Sequence, residues 1–292
     1  MKADRALIEI HLAVLLFGLA GLFGKWLALA PVLIVFGRVT FAGAALAAAL
    51  GALRRPLFAR RFKDQTLFAL LGILLAVHWV CFFRSIQVST VAVGLLSYST
   101  FPLFTAFLEP LLLRERMERR AVLLSLVCLA GVALIIPRFA LSDSVLRGTL
   151  WGLAAGASFS VLTILNRRMR RDHSSPSIAF QQDFFAALAL LPVVCAAPRA
   201  AISPRDILLL AALGLVCTAG AHTLFIEGMK STSARTASLI SSLEPVYGIV
   251  LAFFFLGEIP SARTLLGGVL ILSAVLAVTL SGIKPASSSG RL

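Results

Sequence analysis

The residue pattern that says most about the fold is SLISSLEPVYGIVLAFFFLGE, residues 238–258. A second stretch, LLSYSTFPLFTAFLEPLLLRE at residues 95–115, aligns with it when the chain is shifted by 143 residues. Pro102 then lies opposite Pro245, and leucine, serine and glutamate residues coincide at four further positions. The chain of 292 residues therefore contains an internal repeat with a period of about half its length.

Hydrophobic segments recur along the whole chain, which is 59% hydrophobic and only 14% charged. Soluble domains are less apolar than this. A helix needs about 20 apolar residues to cross the roughly 30 Å of hydrocarbon in a membrane. We predict ten such spans, with the approximate limits 6–29, 31–53, 66–86, 89–113, 118–137, 146–166, 177–197, 206–229, 232–256 and 262–283. Residues 1–140 and 141–292 would then each hold five spans and pack together as one transport domain.

Five spans per half is an odd number, so the second half must enter the membrane with the opposite orientation to the first. We therefore predict an all-α integral membrane protein with ten transmembrane helices, built as two inverted five-helix repeats. Such a duplication places a binding site near the membrane midplane, between the halves.

The net charge of +14 follows the predicted topology. Of the 27 Lys and Arg residues, 19 fall at the two termini and at alternate connections. This is the positive-inside pattern, which predicts cytoplasmic termini in a multi-pass chain. It argues against a nucleic-acid partner and is compatible with contact to anionic membrane lipids.

Glu244 lies about 12 residues from each end of the ninth predicted span, too deep to reach water. A buried carboxylate should face a cavity, pair with a cation or carry a proton, and such residues are commonly functional. We consider both proton or substrate binding and a structural hydrogen bond for Glu244. Pro102 and Pro245 are predicted to break their helices, because proline removes a backbone hydrogen bond. Glu258 lies near a span end, where solvation at the interface is expected.

Arg38 lies about seven residues into the second span, and Gln182 and Asp183 lie at a corresponding depth in the seventh. An arginine cannot lose its charge at this depth. We favour a gating or structural ion pair with Asp183, and a substrate carboxylate is the alternative partner. His78 and His222, near repeat-related positions, are candidate proton relays to Glu244 or neutral interhelical hydrogen-bonding groups. Other candidates for the substrate or proton site are Gln182 and the aromatic residues that could line it, namely Trp79, Tyr98, Trp151 and Tyr247.

Several function classes do not fit the sequence. Asp183 is the only aspartate inside a predicted span, which argues against a diaspartyl intramembrane protease. No GxSxG, HExxH or GxxxxGK[ST] motif occurs, so we expect no enzyme activity, no ATPase, no cofactor and no metal. The four cysteines lie within spans and are expected to pack as small apolar residues.

The repeat resembles the EamA-type family of drug/metabolite transporters. The features that carry this resemblance are Arg38, Pro102 and Glu115 in the first half, and Trp151-Gly152 and LEPVYG with Gly257-Glu258 in the second. Phe17 before Gly18 and Arg114 before Glu115 depart from the usual pattern of the family. The resemblance implies export of an amino acid or similar metabolite across the bacterial inner membrane.

Together these observations predict a secondary transporter for a small amphipathic solute that works by alternating access. Proton coupling and a homodimer are left open. The alternatives are a lipid-linked precursor flippase, a multidrug exporter of the same fold and, more remotely, an intramembrane enzyme.

Overall fold

The structure is a computed structural model that describes residues 2–113, 119–169, 173–197, 201–229, 240–241 and 243–281. Glu115 and Ser238, which belong to the repeated stretches, lie outside these residues. The described residues form helices and connections, and no strand occurs among them. The helices are α1 Lys2–Trp26, α2 Pro31–Ala52, α3 Phe62–Val88, α4 Val91–Tyr98, α5 Phe101–Leu113, α6 Arg119–Ile135, α7 Ser144–Met169, α8 Ser175–Ala196, α9 Pro204–Gly214, a π-helical segment Leu215–Gly220, α10 Ala221–Met229, α11 Glu244–Leu256 and α12 Ala262–Ser281.

Six helical segments within the described ranges are long and apolar enough to cross a membrane. They are α1, α2, α3, α7, α8 and the continuous run from α9 through the π-helical segment into α10. Four shorter apolar segments lie in α4–α5, α6, α11 and α12. The predicted class, an all-helical membrane protein, is thereby confirmed, whereas the count of ten spans stays a prediction.

The fourth predicted span is divided into two helices. Tyr98 ends α4 and Phe101 begins α5, with a turn at Ser99 and Thr100 between them. Pro102 is the second residue of α5, where a missing N–H leaves no helical hydrogen bond unmade. Pro245 has the same position in α11, directly after Glu244. Both prolines therefore lie in the first turn of a helix rather than in its interior.

The helices pack closely where glycine faces a neighbouring backbone. A Cβ atom at Gly18 of α1 would lie 2.8 Å from the backbone nitrogen of Gly248 in α11. A Cβ at Gly152 of α7 would lie 2.5 Å from the Cβ of Ser97 in α4. The series Gly148, Gly152 and Gly156 predicts a close helix contact, because small residues let helices approach in membranes. That contact is confirmed against α3 and α4.

Large apolar side chains lie both in the core and on the outer surface, and a smaller set of polar side chains is buried among them. Phe254 and Leu266 are examples of large apolar side chains that are more than half exposed. The buried polar side chains are Arg38, His78, Ser85, Ser97, Ser99, Thr100, Thr149, Ser160, Gln181, Gln182, Asp183, Thr218 and Thr264. Because uncompensated polar groups are costly in hydrocarbon, this interior set is the place to search for a site.

Candidate functional site

Arg38 is the most deeply buried charged side chain of the described residues, with none of its surface exposed. It extends from α2 toward the π-helical segment, where its Nε donates a 2.7 Å hydrogen bond to Oγ1 of Thr218. Its terminal nitrogens, Nη1 and Nη2, have no hydrogen-bond partner in the part of the chain that the structure describes. The guanidinium is thus anchored at one nitrogen and unpaired at the other two.

An aromatic ring covers the face of this guanidinium. Cζ of Arg38 lies 3.3 Å from the ring centroid of Trp79 in α3, and 6.0 Å from that of Phe83 one turn further on. A cation over an indole ring is attracted by the ring's negative face, and the attraction increases where water is absent. Trp79 therefore fixes the plane of the guanidinium while Thr218 fixes one edge.

The local backbone explains why Thr218 is available. The segment Leu215–Gly220 is π-helical, and the Thr218 hydroxyl donates a 2.9 Å hydrogen bond to the carbonyl of Leu213. This hydroxyl still has lone pairs with which to accept from Arg38. Single-turn π segments within helices are often found at functional sites.

Two carboxyl groups lie within electrostatic range of Arg38. Asp183 extends from α8 and is 4% exposed, and Glu244 is the first residue of α11. Neither forms a hydrogen bond or an ion pair with Arg38 among the described residues. The ion pair between Arg38 and Asp183 that is expected from the sequence, with its gating role, therefore stays a prediction.

The two histidines have different surroundings. His78 is buried, with Nδ1 2.9 Å from the carbonyl oxygen of Ala155, and its ring lies 4.7 Å from Trp79. His222 lies on α10, with its ring 5.4 Å from that of Phe17. Both are within electrostatic range of Arg38, although neither contacts the other through its ring in the described part of the chain. The hydrogen bond to Ala155 links α3 to α7 and favours a structural role for His78.

Tyr98 and Phe101 form an aromatic wall at the turn between α4 and α5. Their rings stack with centroids 5.5 Å apart, and the Tyr98 ring lies 5.3 Å from His78. Phe101 begins α5 immediately before a proline, as Glu244 begins α11 immediately before a proline. The two helices therefore place a ring and a carboxyl group at equivalent positions.

Three other predicted site residues, Trp151, Gln182 and Tyr247, form no bond to Arg38 among the described residues. Trp151 is 41% exposed on α7 and takes part in none of the ring contacts found among the described residues. Gln182 donates to Oδ1 of Asn166, which ties α8 to α7. The Tyr247 hydroxyl lies 2.6 Å from Nδ1 of His11 in α1. The contacts of Gln182 and Tyr247 link pairs of helices, and the predicted binding roles of all three residues stay predictions.

Sequence reasoning missed Thr218 and assigned no role to His11. Each is a polar residue within an apolar run, but many serines and threonines in this chain share that property. The partners of these two residues are 180 and 236 positions away in the chain, so only the tertiary structure reveals them.

Comparison with known proteins supports this architecture. A sequence model described as the EamA-like transporter family matches residues 5–136 and, separately, residues 146–280. A solved crystal structure superimposes with a TM-score of 0.65 at 23% identity, covering 95% of this chain and 97% of the other, and this likeness shows the fold alone.

Curated relatives are named as transporters. An uncharacterized transporter of Bacillus subtilis, YxxF, is 25% identical over 285 residues, which cover 96% of this chain and 90% of the relative. The pseudopaline exporter CntI of Pseudomonas aeruginosa is 26% identical, covering 71% and 72%. An S-adenosylmethionine uptake transporter of Rickettsia prowazekii is 25% identical, covering 74% and 72%. Since the family model matches nearly the whole chain, this protein belongs to the EamA-like transporter family and is a multi-pass membrane transporter of small molecules.

Proposed function

We propose that this protein is a secondary transporter that exports a small amphipathic metabolite, such as an amino acid, across the bacterial inner membrane by alternating access. The observation that carries this proposal is the charged layer formed by Arg38, Asp183 and Glu244, in which Arg38 and Asp183 are buried and Glu244 is half-buried. Ionisable side chains inside a membrane protein commonly mark the path of a substrate or an ion.

The proposed topology has ten spans in two inverted five-helix repeats, residues 1–140 and 141–292, with both termini cytoplasmic. The separate matches of one family model to residues 5–136 and 146–280 support a repeated chain. The equivalent starts of α5 at Phe101-Pro102 and of α11 at Glu244-Pro245 support it as well. In transporters with inverted repeats, the site lies between the halves and alternating access arises from rocking around it.

Proton coupling follows from counting charges in the layer. Arg38 stays charged, so one carboxylate, Asp183 or Glu244, is sufficient to neutralise it. The second carboxyl group must then bind a proton or a solute cation, because an extra buried negative charge is unfavourable. We assign this exchange to Glu244. In export, Glu244 releases its proton to the cytoplasm, binds the solute there and exchanges the solute for a proton outside.

The direction of transport rests on the family resemblance. One relative is named as an exporter and another as an uptake transporter, so the fold serves both directions. A homodimer and specific lipid contacts are compatible with this proposal and add nothing to its mechanism.

The test uses purified protein in liposomes and a mixed pool of labelled amino acids, with the vesicle interior made acidic, neutral or basic relative to the outside. Proton antiport predicts that an acidic interior drives several-fold more uptake in the wild type. Glu244→Gln should abolish this dependence, whereas Asp206→Asn, at the start of α9, should retain it.

Other outcomes would overturn particular parts of the proposal. Uptake driven by an acidic exterior would indicate symport rather than export by antiport. Equal gradient dependence in the wild type and Glu244→Gln would remove the coupling role of Glu244. If no labelled amino acid is taken up and the protein moves a lipid-linked precursor across the membrane instead, the flippase alternative is favoured. Circular dichroism and gel filtration of each variant establish that it is folded.

A further inference from the structure

We propose that Arg38 binds the carboxylate group of the transported solute, and that Trp79 and Thr218 hold its guanidinium in the orientation that this requires. This inference rests on the proposed transport function and names the chemical class of its substrate. The solute would be a zwitterion that carries one carboxylate and one amine.

Arg38 has two terminal nitrogens, Nη1 and Nη2, without a hydrogen-bond partner in the described residues. A guanidinium has five N–H donors and is always charged. Nε is used by Thr218, which leaves four N–H donors on Nη1 and Nη2 without a partner in the described residues. Leaving buried charged donors unsatisfied is costly, so a site that keeps them is suited to a ligand that satisfies them.

The arrangement of Nη1 and Nη2 on Arg38 suits a carboxylate ligand. The two Nη atoms form a planar fork that matches the two oxygens of a carboxylate, and such bidentate pairs are among the strongest hydrogen-bonded contacts in proteins. The 3.3 Å stacking on Trp79 blocks one face of the guanidinium, and the 2.7 Å bond to Thr218 blocks the Nε edge. The edge that carries Nη1 and Nη2 therefore has a fixed direction.

The charges near Arg38 favour a single carboxylate over a doubly charged phosphate. Asp183 and Glu244 both lie within electrostatic range of Arg38, so a doubly charged phosphate would meet two carboxyl groups of the same sign. A single carboxylate meets less repulsion. An amine on the same solute would also be attracted by the carboxylate of Glu244, and a zwitterion adds no net charge to the layer.

The alternative is a structural role for Arg38, in which Asp183 moves and forms an ion pair with it. Both side chains are buried within the same layer, and no bond between them is formed in the described structure. An internal pair of this kind would give no preference between a carboxylate solute and its amide. That preference therefore separates the two roles.

The experiment measures binding and transport of the standard amino acids, each as the free acid and as the C-terminal amide. Binding is followed by tryptophan fluorescence in detergent, with Trp79→Phe as the variant that should lose the signal. The wild type should prefer acids over amides by roughly tenfold or more, because a hydrogen bond to a charged group contributes that much. Arg38→Gln should remove the preference, and Arg38→Lys should keep only part of it.

Thr218→Val tests the positioning role without touching the charge. It should reduce the preference for acids over amides, and because Nε of Arg38 loses its partner it should also lower the melting temperature in detergent by a few degrees, so binding is measured well below that temperature. Should Arg38→Gln fail to fold, Arg38→Lys and Thr218→Val still test whether the preference for acids depends on the Arg38 guanidinium.

The outcomes are distinct. Binding of acids over amides without transport would refute the proposed function and keep the Arg38 site. Transport with equal use of acids and amides would overturn the Arg38 site and keep the function. Binding of no carboxylate in the panel would overturn the site as well, whatever else is transported.

Discussion

The Glu258 carboxylate and the backbone N–H of Val91 are joined by a 2.8 Å hydrogen bond, which links the end of α11 to the first residue of α4. Lys25 of α1 lies 3.8 Å from the same carboxylate and donates a 2.6 Å hydrogen bond to the carbonyl of Ser89. From the sequence we expected Glu258 to be an interfacial residue solvated by water. Its side chain is 20% exposed, and it also accepts from a helix N-terminal N–H, where a negative charge is favourable.

We expect Glu258→Leu to lower the free energy of unfolding by about 1–2 kcal/mol, because the N–H of Val91 and the charge of Lys25 both lose their partner. Glu258→Gln keeps an oxygen that can accept from Val91 and should cost less. Thermal unfolding of both variants in detergent measures the difference, which should amount to a few degrees. Equal melting temperatures for Glu258→Leu and the wild type would contradict this role.

The contact between α1 and α11 predicts a large effect of adding one methyl group. Gly18→Ala would place a carbon 2.8 Å from the nitrogen of Gly248 and 3.0 Å from the carbonyl oxygen of Glu244, closer than packed atoms allow. The helices must separate, at a cost of roughly 1–3 kcal/mol. The matched control is Gly51→Ala, since a Cβ at Gly51 would meet no atom within 4 Å. The prediction is wrong if Gly18→Ala and Gly51→Ala have the same melting temperature.

The bond between His11 and Tyr247 can be separated from a role of Tyr247 in solute binding. We expect His11→Leu, Tyr247→Phe and the double variant to show a coupling energy of about 1 kcal/mol in thermal unfolding. If the Tyr247 hydroxyl only ties α1 to α11, the two single variants should reduce transport to the same extent. A much greater loss of transport in Tyr247→Phe would assign the hydroxyl to the solute instead.

The topology predicts that both termini are cytoplasmic. Green fluorescent protein fused to either end should fluoresce in intact bacteria, and alkaline phosphatase at the same ends should be inactive, because each reporter matures on only one side of the membrane. A phosphatase fusion after Glu258 should be active, since that connection is predicted to lie outside. An active phosphatase at the C-terminus would rule out an even number of spans with a cytoplasmic N-terminus.

Local chemistry made much of the fold predictable. Apolar runs identify membrane helices because a backbone in hydrocarbon must satisfy its own hydrogen bonds, and a helix does so within one segment. Proline marks the starts of α5 and α11 for an equally local reason, its missing N–H. Counting residues along a span also predicts the depths of Arg38 and Glu244 in the membrane, and these depths stay predictions.

The sequence by itself therefore determined that the chain is a bundle of membrane helices with a charged layer inside it. Only the tertiary structure decided that Arg38 stacks on Trp79 and bonds to Thr218, and that Glu258 accepts from Val91. Helices that are apolar on nearly every side carry little information about which face meets which neighbour. That choice depends on small residues that permit close approach and on hydrogen bonds between distant segments, and both act only once the helices are packed.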